Sequence, residues 1–301
     1  MDSKAKVLKY DAIFLTAAAI WGFAFVAQRA GMKHVGPFTF IAVRFLLGSI
    51  FLVPLLFITG GAKINSQDPE PQPNHKFFLL GSGLAGLILF LAASFQQHGI
   101  VYTTAGKAGF ITGLYVIIVP FLSLFWGQRT TSGTWVGAVL AVVGLYLLSI
   151  TDNFVIDWGD LLVFFCAFFW AAHILIIGRL SSRFHPLRVA FFQFLVCSAC
   201  AWVSAVLTEV VAVQKILSAL IPILYAGIVS TGVAFTLQVV AQRYAHPAHA
   251  AIIMSLEAIF AVIGGYLLLG ETISLRNLAG CAFMLTGMII SQLYARKNRV
   301  I

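Results

Sequence analysis

The chain has 301 residues, of which 60% are hydrophobic and only 10% charged, with a formal net charge of +9; globular domains are roughly 25% charged. This composition excludes a soluble domain built around one core, because apolar runs of about 20 residues recur along the whole length, each able to cross a hydrocarbon layer of roughly 30 Å. The positive charge does not gather on one basic face, as nucleic-acid binding requires, but sits in short loops and at the ends, where Lys and Arg act as topology signals.

In chain order, the start "MDSKAKVLKYDAIFLTAAAIW" has a basic lead, but its apolar stretch continues past the length of a secretory signal core, so an uncleaved first span is predicted. Ten helices follow from the apolar runs, at about 11–30, 37–58, 77–102, 104–126, 133–150, 157–178, 187–208, 216–241, 247–270 and 274–294. Pro37, Pro186 and Pro247 mark helix starts, since the first turn does not need their missing N–H. The long connection 59–76, with "SQDPEPQP" at its centre, is polar and Pro-rich and reads as a surface loop. Cys166, Cys197, Cys200 and Cys281 all fall inside apolar runs, where free thiols behave as small hydrophobes rather than as a disulfide framework. With the N-terminus in the cytoplasm, thirteen Lys and Arg, among them Lys9, Lys63, Lys76, Arg129, Arg183, Arg188 and Arg243, lie inside. Only Lys33, Lys107, Lys215 and Arg276 lie at outer ends, with Arg29 near the rim and Arg44 embedded. That imbalance places both termini in the cytoplasm of a multi-pass protein of the cell (inner) membrane.

The halves repeat. A shift of 149 lays Trp21 on Trp170, Pro37 on Pro186, Arg44 on Gln193 and Phe45 on Phe194; a shift of 141 brings Gln97 onto Gln238, and one of 142 brings Tyr115 onto Glu257. Five helices per repeat is an odd number, so the second copy, 151–301, enters the membrane from the side opposite to the first, 1–150. The fold class is therefore an all-α polytopic membrane protein of ten transmembrane helices in two inverted five-helix repeats, an arrangement suited to alternating access around a central site.

At the same residues, "WGFAF" after the first span, "PFTFIAVRFLLG" in the second, and "LLLGETISLRNLAGCAFMLTGMIIS" with its twin "LFWGQRTTSGTWVGAVLAVVGLYLLS", the chain resembles the EamA-type members of the drug/metabolite transporter superfamily. The resemblance covers nearly the whole chain. It implies an exporter of amino acids and other small metabolites. The chain departs from the family pattern at Ala258, where many relatives have proline, and at Gln128-Arg129, which stands opposite Gly270-Glu271.

Glu257 is a carboxylate about ten residues, or roughly 15 Å, into its predicted helix, half the hydrocarbon thickness. A charged side chain at that depth costs at least about 2.5–3.5 kcal/mol on insertion scales and marks a functional residue. Tyr115 reaches the same depth from the other side, and Trp21 and Trp170 lie near the middle of their helices. These four are the candidate substrate-binding residues, with packing as the alternative for the tryptophans and interhelical hydrogen bonding for Tyr115. Glu257 is expected to hold a proton in the empty site and to release it to an arriving amino group. Arg44, Gln193, Gln97, Gln238 and His173 lie off-centre, as gating or pathway residues or as interhelical hydrogen-bonding groups.

Other patterns do not survive their context. "GSGLAG" at 81–86 has no strand before it and reads as close helix packing. His246 and His249 lack a third clear ligand. No metalloprotease or serine-hydrolase motif occurs, and no metal or cofactor is predicted. The sequence reads as a secondary transporter, not an enzyme, with a small molecule, the bilayer and protons as partners and no role for nucleic acid. Oligomeric state, substrate identity and direction stay open. Uptake by the same fold is the alternative within transport; a membrane-embedded enzyme or a non-transporting helper subunit are the rivals from other classes.

Overall fold

A computed structural model describes residues 3–59, 75–125, 132–149, 157–245, 247–272 and 274–297. The centre of the predicted loop 59–76, the pair Gln128-Arg129, and the side chains of His246, His249, Lys4, Lys6, Arg296, Lys297 and Arg299 lie outside the described residues.

The described chain folds into α1 (Ser3–Gly31), α2 (Pro37–Thr59), α3 (His75–Tyr102), α4 (Ala105–Thr112), α5 (Tyr115–Leu124), α6 (Ser132–Ser149) and α7 (Trp158–Arg183). After these come α8 (Pro186–Thr208), α9 (Val213–Ser218), α10 (Leu220–Leu224), a π-helical stretch Tyr225–Phe235, α11 (Thr236–Gln242), α12 (Pro247–Met254), α13 (Glu257–Leu269) and α14 (Leu275–Lys297). Among the described residues there is no strand, and seven helices are long and apolar enough to cross a membrane. Glu257–Leu269 and Trp135–Gly144 are shorter apolar helices.

Local chemistry sets the boundaries. Pro37, Pro186 and Pro247 open α2, α8 and α12. The Asp157 side chain caps α7 by accepting from the Gly159 N–H at 2.9 Å, and Thr104 Oγ1 caps α4 by accepting from the Lys107 N–H at 3.1 Å. Gly270, at φ +65°, ends α13 in the left-handed conformation that glycine adopts without strain.

The main packing pairs are α3 with α7, α2 with α8, α6 with α14, and α1 with both α13 and the π-helical stretch. A Cβ on Gly144 would stand 2.5 Å from the Gly280 carbonyl oxygen, so glycine is what lets α6 and α14 approach backbone to backbone. The side chains turned outward include Phe57, Val206, Leu207, Tyr266 and Leu267, a surface matched to hydrocarbon rather than to water.

Three segments that the sequence predicts as continuous helices are interrupted, the run 216–241 at Ala219, between α9 and α10, and the other two beside an internal cavity. The run 104–126 breaks between α4 and α5, and the run 247–270 breaks between α12 and α13. In both the hydrogen bonding tightens by one residue. Leu114 N–H donates to the Ile111 carbonyl at 3.2 Å and Val116 N–H to that of Gly113 at 3.1 Å; Leu256 N–H donates to the Ile253 carbonyl at 3.2 Å and Ala258 N–H to that of Ser255 at 3.1 Å.

Candidate functional site

The residue that follows each break is one of the predicted pair, Tyr115 opening α5 and Glu257 opening α13. Both line an internal cavity of about 40 Å³. Trp21 and Gln28 on α1, Arg44 on α2, Gln96 on α3, Thr112 on α4 and Trp170 on α7 line it as well, together with Ser230, Phe235, Gln238 and Met254. Close packing holds the Glu257 backbone against α1, because a Cβ on Gly22 would lie 2.6 Å from the Glu257 carbonyl oxygen and 2.2 Å from Phe260 Cβ. Phe235 touches both tryptophans, stacked on Trp170 with centroids 5.6 Å apart and tilted by 57° against Trp21 at 4.7 Å.

The polar groups on these walls are short of partners. Among the described residues, Trp21 Nε1, Trp170 Nε1, the Tyr115 hydroxyl, Gln28 Oε1, Gln238 Oε1 and both Nε and Nη2 of Arg44 make no hydrogen bond although they are shut off from solvent. Buried polar atoms are almost always bonded, so their convergence on one cavity describes a place for a polar ligand. The Tyr115 hydroxyl lies beside the Glu257 carboxyl. Glu257 is 4% exposed and Arg44 2%, and no ion pair joins them. The Arg44 guanidinium lies 4.7 Å from the Phe45 ring centroid, a cation–π contact that holds it without neutralising it.

All four predicted substrate-binding residues thus line one cavity. Of the five off-centre residues, Arg44 and Gln238 line it as well, whereas the sequence places Arg44 toward one face. The other three stand behind the walls. His173 Nε2 and Gln193 Oε1 bond at 2.8 Å in a fully buried pair, with the His173 ring edge-on to Trp170, and Gln97 Nε2 donates to the Gln28 carbonyl at 3.4 Å. Gln28, Gln96, Thr112, Ser230 and Phe235 carry no sequence signal that separates them from packing residues.

At one end of the bundle, acids clasp helix ends. Arg29 Nη1 donates to Glu271 Oε1 at 2.9 Å and to the Thr103 carbonyl at 2.7 Å, and Glu271 also accepts from the N–H groups of Ala105 and Gly106. Asp160 accepts from Thr103 Oγ1 and from Lys107 Nζ, and Glu209 accepts from the N–H groups of Phe38 and Thr39 at the start of α2. Near the opposite end, Tyr10 stacks on Tyr244 with centroids 4.6 Å apart. A separate hollow there is lined by Leu56, Phe78, His185, Arg188 and Phe191. Burial, with Arg188 and Arg243 close by, holds the His185 imidazole below its ordinary pKa. Among the described residues no group of three or more His, Cys, Asp or Glu could hold a metal ion.

Comparison with known proteins converges on transport. The model of the EamA-like transporter family matches twice, over residues 8–150 and 157–292. A protein of Archaeoglobus fulgidus described as an uncharacterized transporter is 32% identical, over 96% of this chain and 87% of the relative. The uncharacterized transporter YoaV of Bacillus subtilis is 19% identical, over 95% of this chain and 97% of its own. A crystal structure with 20% identity superimposes with a TM-score of 0.69, covering 96% of this chain and 98% of the other, which establishes a shared fold.

Proposed function

The chain belongs to the EamA-like transporter family, and from that premise we propose that it exports a small metabolite bearing an amino group and a carboxylate, an amino acid or a close relative, by proton-coupled alternating access. One observation carries this reading: a single cavity has on its wall a buried carboxylate, Glu257, and a guanidinium, Arg44, whose Nε and Nη2 make no hydrogen bond among the described residues. A ligand with charges of both signs satisfies both groups at once. The free indole N–H groups and glutamine oxygens offer further hydrogen bonds, and the tryptophan faces suit an ammonium group. Glu257 is then the residue that exchanges a proton for the substrate's amino group.

The proposal includes ten spans in two inverted units, 1–150 and 151–301, with both termini in the cytoplasm. The packing supports it through matched pairs: α3 on α7 has its counterpart in α1 on the π-helical stretch and α11, and α3 on α8 has its counterpart in α2 on that stretch. Arg29 at the C-terminal end of α1 and Asp160 at the N-terminal end of α7 meet through Thr103, the antiparallel relation expected of inverted mates.

Purified protein in liposomes tests the function with three ligands of one size: an α-amino acid, the amine lacking its carboxylate, and the acid lacking its amine, each with and without a pH gradient. The amino acid should cross at least about tenfold faster than either analogue, and an inward proton gradient should drive it outward. Equal flux of all three, or flux indifferent to the gradient, overturns the corresponding part of the proposal.

A further inference from the structure

We infer that the Arg29–Glu271 ion pair is a latch that closes the cavity at the end where α1 stops, a charge pair that the repeat-mate positions Gly178 and Arg129 do not reproduce. The inference rests on the alternating-access reading and deepens it, assigning the control of which side the cavity faces.

Three elements that wall the cavity are gathered by this pair. Arg29 follows Gln28, a wall residue, and its Nη1 reaches both Glu271 Oε1 at 2.9 Å and the Thr103 carbonyl at 2.7 Å. The same carboxylate accepts from the Ala105 N–H at 2.8 Å and the Gly106 N–H at 3.2 Å, so it caps α4, the helix that leads to Thr112 and Tyr115. Glu271 is aimed there by the left-handed turn at Gly270, where its own N–H closes onto the Gly265 carbonyl at 3.1 Å. One ion pair thus ties α1, α4 and α13 together. Its side chains keep 34% and 11% of their surface in contact with the surroundings, so water can replace each partner when the pair parts; an apolar seam of the same extent has no such substitute.

The opposite end is built differently. There α1 meets α11 through the Tyr10–Tyr244 stack. The repeat mate of Arg29 is Gly178, which has no side chain, and that of Glu271 is Arg129, which has the opposite charge. The mirrored positions thus do not carry the charges of Arg29 and Glu271.

The test uses Ser230→Cys as a reporter, since Ser230 lines the cavity and is 1% exposed. A membrane-impermeant maleimide is applied to intact cells and to inside-out vesicles, with the protein carrying only its four native cysteines as the blank. Arg29→Gln and Glu271→Gln should each raise labelling from the outside about tenfold or more, Arg29→Lys should stay within about twofold of the parent, and the double variant should add little to either single one. Glu271→Gln keeps an acceptor for the α4 N–H groups, so it preserves the cap if Arg29→Gln fails to fold. Unchanged outside and inside labelling in both glutamine variants, with normal gel-filtration behaviour, overturns the latch. A rise confined to inside-out vesicles upholds the latch and overturns the proposed orientation. Labelling needs no substrate, so it fails or succeeds independently of the flux measurements.

Discussion

In the proposed mechanism Arg44 and Glu257 divide the recognition of a substrate between them, and their places on the cavity lining give different symptoms to their loss. Read from its place in the sequence, Arg44 gates, and Arg44→Gln should change transport rate more than affinity. Its place on the cavity wall, with Nε and Nη2 unpartnered, reverses that expectation. A charge-assisted hydrogen bond contributes about 2 kcal/mol, so Arg44→Gln should weaken binding of a carboxylate-bearing substrate roughly 30-fold. It should leave the affinity for the corresponding amine within a few-fold, as read by calorimetric titration of the purified protein. Glu257→Gln keeps the size and removes the titration, so it should abolish accumulation driven by a pH gradient while facilitated exchange persists. An unchanged pH dependence in that variant would make Glu257 a structural hydrogen-bonding group. Glu257, Tyr115, Trp21 and Trp170 were legible in the sequence because each is a polar or amphipathic interruption of an apolar run. Gln96 and Gln97 show where legibility stops: adjacent residues point about 100° apart on a helix, and sequence alone does not say which one faces the cavity. Phe235 is one apolar residue among many until its contact with both tryptophans distinguishes it.

Between residue and molecule, the glycines separate packing from mere permissiveness. At Gly22 a Cβ would collide with Phe260 Cβ at 2.2 Å and with the Glu257 carbonyl; overpacking of this kind costs about 1–3 kcal/mol, and here it also displaces the first turn of α13. Gly22→Ala should therefore lower the midpoint of thermal unfolding in detergent and reduce transport. Within the "GSGLAG" stretch, Gly81 faces Leu180 and Gly86 faces Val196, but nothing lies within 4 Å of a Cβ added at Gly83. Gly83→Ala should raise stability by about 0.5–1 kcal/mol, the helix-propensity gain of alanine over glycine, and a drop in the unfolding midpoint would contradict the packing described for α3. Periodicity and length made the helices readable, but not the breaks before Tyr115 and Glu257. Neither break contains a proline, and "SL" at Ser255-Leu256 is as compatible with an unbroken helix as with the one-residue tightening found there.

Charge sorts the two ends of the whole bundle. Asp160, Glu209 and Glu271 lie at one end, two of them against the helix N-termini of α2 and α4, where a carboxylate is favoured. They also neutralise cations of that end, Arg29 and Lys107. Lys76 at the start of α3, Arg183 at the close of α7 and Arg188 at the start of α8 occupy the opposite end. This separation agrees with the proposed orientation, in which thirteen basic residues lie inside against four or five outside. The orientation can be read directly at two exposed positions from opposite ends, Val210 just after α8 and His75 at the start of α3. Val210→Cys should react with an impermeant maleimide in intact cells, and His75→Cys only after the inner face is exposed in inside-out vesicles. Reaction of His75→Cys in intact cells would turn the molecule over in the membrane. The cavity, the latch and the placing of Arg44 and Glu257 on one lining would remain, but the latch would then guard the cytoplasmic side.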